Sequence, residues 1–164
     1  MPSELTQTEV DSLKALNCNV YVARGFTHFL LENGTTANGQ RYDEVLYVDK
    51  IAEDLQNAAV TLLAENPDKL PQTDDSTAQF INRFSSILMG YTDRGILASS
   101  VWRGADLGPV RNGEIVENGF MLWADSYDDQ SDADRAAHKA MPVQVALCLA
   151  GSIESIVITV NVMT

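Results

Sequence analysis

A chain of 164 residues, 45% of them apolar, can close one domain around a substantial core and leaves little for a second large one. Twenty-three acids against eleven bases give a formal charge of -12, which argues against a nucleic-acid groove and against attraction to anionic membranes. No apolar run is long enough to cross a bilayer, and the opening MPSELTQTEV lacks the basic start and apolar middle of a signal peptide, which predicts a cytoplasmic origin.

Thr6 with Glu9 three residues on has the spacing of a capping box, and Val10, Leu13, Ala15 and Leu16 supply the apolar side of a short helix that Asn17 ends. NVYVARG and THFLLENG read as two strands, turned at Gly25 and again at Asn33-Gly34, with a further turn at Asn38-Gly39. Cys18 and Cys148 both lie in apolar, strand-like runs and are expected as buried free thiols. Asn-Gly-Thr at Asn33 matches a glycosylation acceptor and reads more simply as a turn.

The period then changes. Val48, Ile51, Ala52, Leu55, Ala58, Ala59, Leu62 and Leu63 fall three and four apart, which predicts a helix from about 47 to 65. Pro67 and Pro71 break it. Thr73 is a candidate N-cap with Asp74 and Asp75 in the first turn, and Phe80, Ile81, Phe84, Ile87, Leu88 and Tyr91 give a second long helix its buried face as far as Gly95. LASSVWRGADLGPVRNGEIVENG shows no period and reads as a long irregular loop, and loops of that length are usually functional or pinned. GFMLWADS is a strand, and QSDADRAAHKAMP is a short helix capped by Ser131 and closed by Pro142. PVQVALCLAG and SIESIVITVNV close the chain as strands. In the last one Ile156, Ile158, Val160 and Val162 face one way, and Ser155, Val157, Thr159 and Asn161 the other. The order predicts an α+β fold of two long helices packed on a mixed β-sheet, as a single domain over 1–164.

Few residues are placed for chemistry. His28 and His138 have no partner at metal-ligand spacing, and no Gly-x-Ser-x-Gly elbow is present. GTTANGQR has the glycine spacing of a phosphate loop, but Gln40 and Arg41 stand where Lys and Ser or Thr are needed. Asp125, Asp128, Asp129, Asp132 and Asp134 do not follow the calcium-loop spacing, and Ser131, Asp132 and Asp134 read as helix-cap chemistry. Trp102 and Trp123 read as core or interface anchors. No catalytic residue, cofactor or metal site is expected. The alternatives are a small discrete binding module and a small metal-dependent enzyme using the acidic cluster 125–134.

LNCNVYVARG, LLENGTTANGQRYDEVLYVDKIAEDLQNAAVTLL, KLPQTD and ADRAAHKAMPVQVALCLAGSIESIVITVNV, taken in order, resemble the C-terminal half of the tail sheath proteins of contractile-tailed phages. No single motif is diagnostic; colinearity over nearly the whole chain carries the resemblance. Members of that family usually have several hundred residues, with an upstream half that this chain does not contain. The resemblance implies a non-enzymatic structural subunit of the virion tail, assembled in the host cytoplasm. Its partners would be copies of itself, the tail tube protein, the baseplate and the tail terminator, with neither nucleic acid nor membrane.

An exposed final strand with an apolar face and no charge or proline is an aggregation liability unless it is covered. From the residues alone, Ile156, Val157, Ile158, Thr159, Val160, Asn161 and Val162 either pair inside their own domain beside VQVALCLAG or are donated to a neighbour's sheet. The resemblance favours donation, with 153–164 as a C-terminal arm.

Overall fold

The computed structural model describes residues 5–25, 28–66 and 68–153. The chain divides into two compact units, Met1–Glu53 and Asp54–Thr164. The long helix α2 (Tyr42–Glu65) runs through the division.

In the first unit, α1 (Gln7–Ala15) starts at the expected capping box: Thr6 Oγ1 accepts the Glu9 N–H at 3.4 Å, and Glu9 Oε2 accepts the Thr6 N–H at 2.8 Å. Asn17 then turns the chain in the left-handed region, at φ 58°. Strands β1 (Val20–Arg24) and β2 (His28–Glu32) form an antiparallel hairpin in which Val20 faces Glu32 and Val22 faces Leu30. Val10 of α1 packs on Val20 and Val22, with Leu5 and Leu13 beside them, and this is the core of the unit. The turn at Asn38-Gly39 is closed by Thr36 N–H to Gln40 O at 2.8 Å. Gly34 O then accepts the Tyr42 N–H at 2.9 Å. Helix α2 therefore begins at Tyr42, six residues before the apolar period does, with Asp43 and Glu44 in its first turn.

In the second unit, α3 (Asp74–Asp93) is capped by Thr73, whose hydroxyl accepts the Ser76 N–H at 3.4 Å. Tyr91 is tied to Asp54 and Arg83 to Glu65, so α3 runs antiparallel to the second half of α2. Phe80, Leu88 and Tyr91 are buried on α3, and Ala58 on α2. The apolar stripe expected on α2 is only partly covered: Ile51 is buried, whereas Val48 and Leu63 are 44% and 55% exposed.

The glycine-rich stretch is pinned rather than irregular throughout. Its ends pair as β3 (Ser100–Val101) and β4 (Ile115–Val116), and Val110 between them is buried with Val116 and Ala146, against the half-buried Trp102, Trp123 and Cys148. Strand β5 (Phe120–Trp123) pairs antiparallel with β6 (Gln144–Leu147), Phe120 opposite Leu147. Between them, α4 (Asp132–Ala136) is capped by Ser131 and stops well short of Pro142, because His138 takes φ 55°.

The class is α+β. The described strands make three separate two-stranded antiparallel ladders, where one mixed sheet was expected. Two of the ladders are bounded by glycine or asparagine turns that return a strand to its nearest neighbour, which needs no crossover. The cysteines are free, as expected, but Cys18 is exposed and Cys148 only half-buried. Cys18 precedes β1, where Val20 and Val22 rather than the preceding run face α1. Burial raises the Cys148 thiol pKa.

Candidate assembly surface

Alternation along the hairpin sorts its side chains into two faces. Val20, Val22 and Glu32 lie toward α1. Tyr21, Ala23, Phe29 and Leu31 lie on the other face, where Tyr21, Phe29 and Leu31 are 44%, 54% and 66% exposed. Tyr21 and Phe29 meet diagonally across the ladder, ring centroids 6.4 Å apart. Among the described residues neither strand has a second partner, so both outer edges present backbone donors and acceptors beside an apolar face.

The hairpin is held to α1 through one carboxylate. Glu32 accepts from Arg24 Nε at 2.5 Å and Nη2 at 3.0 Å, and from Lys14 Nζ at 2.6 Å. Those hydrogen bonds, Arg24 first and Lys14 second, hold the carboxyl pKa down at about 2. The surface is thus a positioned platform rather than a loose ribbon.

In the second unit the chain leaves β6 through a further pairing. Ala98 N–H donates to Cys148 O at 3.2 Å and Ala150 N–H to Ile96 O at 2.8 Å, after which Ile153 is 93% exposed. The expected interface residues Ile156, Val157, Ile158, Thr159, Val160, Asn161 and Val162 lie outside the described residues. The aromatic and aliphatic face of the hairpin was missed from sequence, although its signal is there: YVA and FLL put large apolar groups on both parities of the strands.

The other candidates fall into different units or into structural roles. His28 and His138 are exposed and lie in different units. Asp134 caps α4 with Ser131 and pairs with Lys139 at 2.6 Å, and both contacts lower its pKa, Lys139 most. Asp128 sits in a short turn capped by Ser126, and its carbonyl accepts from Arg135 at 2.6 Å. Among the described residues no three His, Cys, Asp or Glu side chains are grouped to hold a metal. Trp102 and Trp123 both pack on the Val110 cluster, as anchors of the glycine-rich stretch. A cavity of about 180 Å³ opens between Leu63, Leu70, Phe80, Tyr127 and Met141; no acid, lysine, arginine or cysteine is among its described lining residues. No helix among the described residues is long and apolar enough to cross a membrane.

A search of curated proteins finds no match. A protein-family comparison does: residues 42–162 match the family described as "E217 tail sheath protein gp31-like, C-terminal domain". The match opens at Tyr42, the first residue of α2, so α1 and the hairpin precede it. It spans most of the chain and takes in both long helices, the pinned glycine-rich stretch and the β5–β6 ladder, and on that ground the chain belongs to the E217 tail sheath protein gp31-like family.

Proposed function

We propose that this protein is a non-enzymatic structural subunit of a contractile phage tail sheath, assembling into rings stacked helically around a tail tube. In this reading residues 156–162 of one subunit add as a strand to a neighbour, and the free edge of its β1–β2 hairpin is the acceptor. The observation that carries the reading is the hairpin itself, a ladder that no third strand joins among the described residues, with Tyr21, Phe29 and Leu31 bare on one face. Main-chain pairing supplies affinity in such an addition, and the alternate side chains select the partner. Rigid subunits tethered in this way rotate during contraction without separating. The tube, the baseplate and the tail terminator are the further partners of such a particle, and the virion tail its place.

Deleting residues 157–164 tests the reading, with circular dichroism and light scattering on the product. A folded, soluble chain that no longer forms rings or tubes by electron microscopy is the expected result. A chain that unfolds or precipitates instead has lost its own core strand, and donation is then wrong. Ile158→Pro is the sharper companion, since it removes one ladder donor and bends the strand while keeping the chain length.

A further inference from the structure

The chain carries eleven Lys and Arg. Among the described residues all but Lys69 and Arg103 are engaged through the side chain, on a carboxylate, a backbone carbonyl or an aromatic ring. Both exceptions are exposed, and Lys69 has exposed Asp68 beside it in the chain. Arg103 also has acids close by in its loop, Asp106 and Glu114, but they are turned to other groups. Asp106 Oδ1 accepts the Asn112 N–H at 2.9 Å, and its Oδ2 lies 3.8 Å from Arg111 Nε. Glu114 Oε2 accepts the Arg111 N–H at 2.7 Å.

The backbone around Arg103 is held in place. Trp102 Nε1 donates to Ala105 O at 2.8 Å, Asn112 Nδ2 donates to Gly104 O at 2.9 Å, and a Cβ on Gly104 would stand 2.9 Å from the Trp102 ring. The ladder leading to it bares an apolar pair. Trp102 and Val116 pack on the Val110 cluster, so by alternation Val101 and its cross-strand partner Ile115 take the opposite face, where they are 43% and 65% exposed. Interfaces are enriched in arginine set beside apolar groups, and a fixed backbone lowers the ordering cost of using one.

We propose that this outer face of β3 and β4, with Arg103, is a contact surface for a second copy of the chain, met at residues 125–132 of that copy. Such a contact is one of those a sheath needs, so it rests on the function proposed above. Charge complementarity names the occupant. At -12 the copies repel one another, and a contact gains most where it sets a cation of one against acids of the next. Asp125, Asp128, Asp129 and Asp132 are exposed, and among the described residues none of these four carboxylates meets a Lys or Arg, in contrast to Asp134 with Lys139. Carboxylates so close in the chain repel each other, and an incoming guanidinium relieves that. The two surfaces differ, so the contact is head to tail and repeats from copy to copy into a ring or a helix.

The test is charge reversal in the full chain, because added salt screens the overall repulsion and this attraction together. Arg103→Glu should raise the concentration at which rings and tubes form roughly tenfold or more, since it sets like charges face to face. Asp128→Arg with Asp129→Arg should do the same, although it lowers the net charge of every copy. Combining all three changes should bring the threshold back near wild type. Circular dichroism checks that each variant is folded; should Arg103→Glu not fold, the threshold of Arg103→Gln decides. A folded Arg103→Glu chain that assembles like wild type, while deletion of residues 157–164 blocks assembly, would overturn this contact and leave strand donation standing. A triple variant that stays monomeric would overturn residues 125–132 as the surface met. A wild-type chain that forms no oligomer at any concentration would overturn both this contact and the sheath reading.

Discussion

Tyr91 Oη donates to Asp54 Oδ2 at 2.6 Å, which ties the last turn of α3 to α2 at the point where the second unit begins. Tyr91 is 2% exposed, and the Arg94 guanidinium lies 4.2 Å from its ring centroid. Burial first, and the Asp54 hydrogen bond second, raise the phenol pKa. Tyr91→Phe keeps the packing and removes a hydrogen bond to a carboxylate, so it should cost about 1.5–3 kcal/mol in denaturant unfolding. Tyr91→Ala also opens a cavity and should cost about 3–5 kcal/mol, in line with other large aromatic truncations. Equal losses for the two variants would mean that the hydroxyl, not the ring, is what the site needs.

Glu32 makes the first unit acid-sensitive. Its folded pKa, about 2, lies below the ordinary 4.5, so its contribution to stability is fully present above pH 4.5 and is lost as pH falls toward 2. Amide exchange across β1 and β2 should therefore speed up between those limits more steeply than exchange in α3. Glu32→Gln should flatten that dependence and weaken the hairpin at neutral pH. An unchanged acid profile in the variant would remove Glu32 as the cause.

The acidic cluster should be almost silent. Asp128→Asn with Asp129→Asn should shift stability by no more than about 0.5 kcal/mol, as at exposed positions without special contacts. Ser131→Ala is the contrasting case: it removes the hydroxyl that accepts the Asp134 N–H and should cost about 1 kcal/mol of the stability of α4. A calcium- or manganese-dependent rise in melting temperature that the Asp128/Asp129 double variant abolishes would instead make the cluster a metal site.

What could be read from the sequence was mostly local. The caps at Thr6, Thr73 and Ser131 were legible because each depends on residues within three positions. The start of α2 was not, because the apolar period begins at Val48 while the helix is set off at Tyr42 by a hydrogen bond back to Gly34. Strand partners were the hardest: the pairing of β5 with β6 joins residues more than twenty positions apart, and β3 and β4 have two residues each, too few to show a period. Cys18 was misread because an apolar run was taken as a buried one. Its neighbour Asn17 turns the chain before the strand that is actually covered begins. The bare face of the hairpin escaped notice for the opposite reason, since apolar side chains on both parities of a strand ordinarily mean two covered faces.

That bare face yields the most exposed prediction. Leu31 is 66% exposed and Phe29 54%, so replacing both with lysine removes little buried area in the isolated subunit. Unfolding of the double variant should stay within about 0.5 kcal/mol of wild type, the usual range for surface changes. If a neighbour's strand or side chains seat on this face, the same change places two charges against an apolar surface, and rings and tubes should disappear from electron micrographs while the monomer melts as before. A double variant that assembles normally would show that the face stays in solvent and that subunit contacts lie elsewhere. One that loses several kcal/mol as a monomer would show that the hairpin is covered within its own chain.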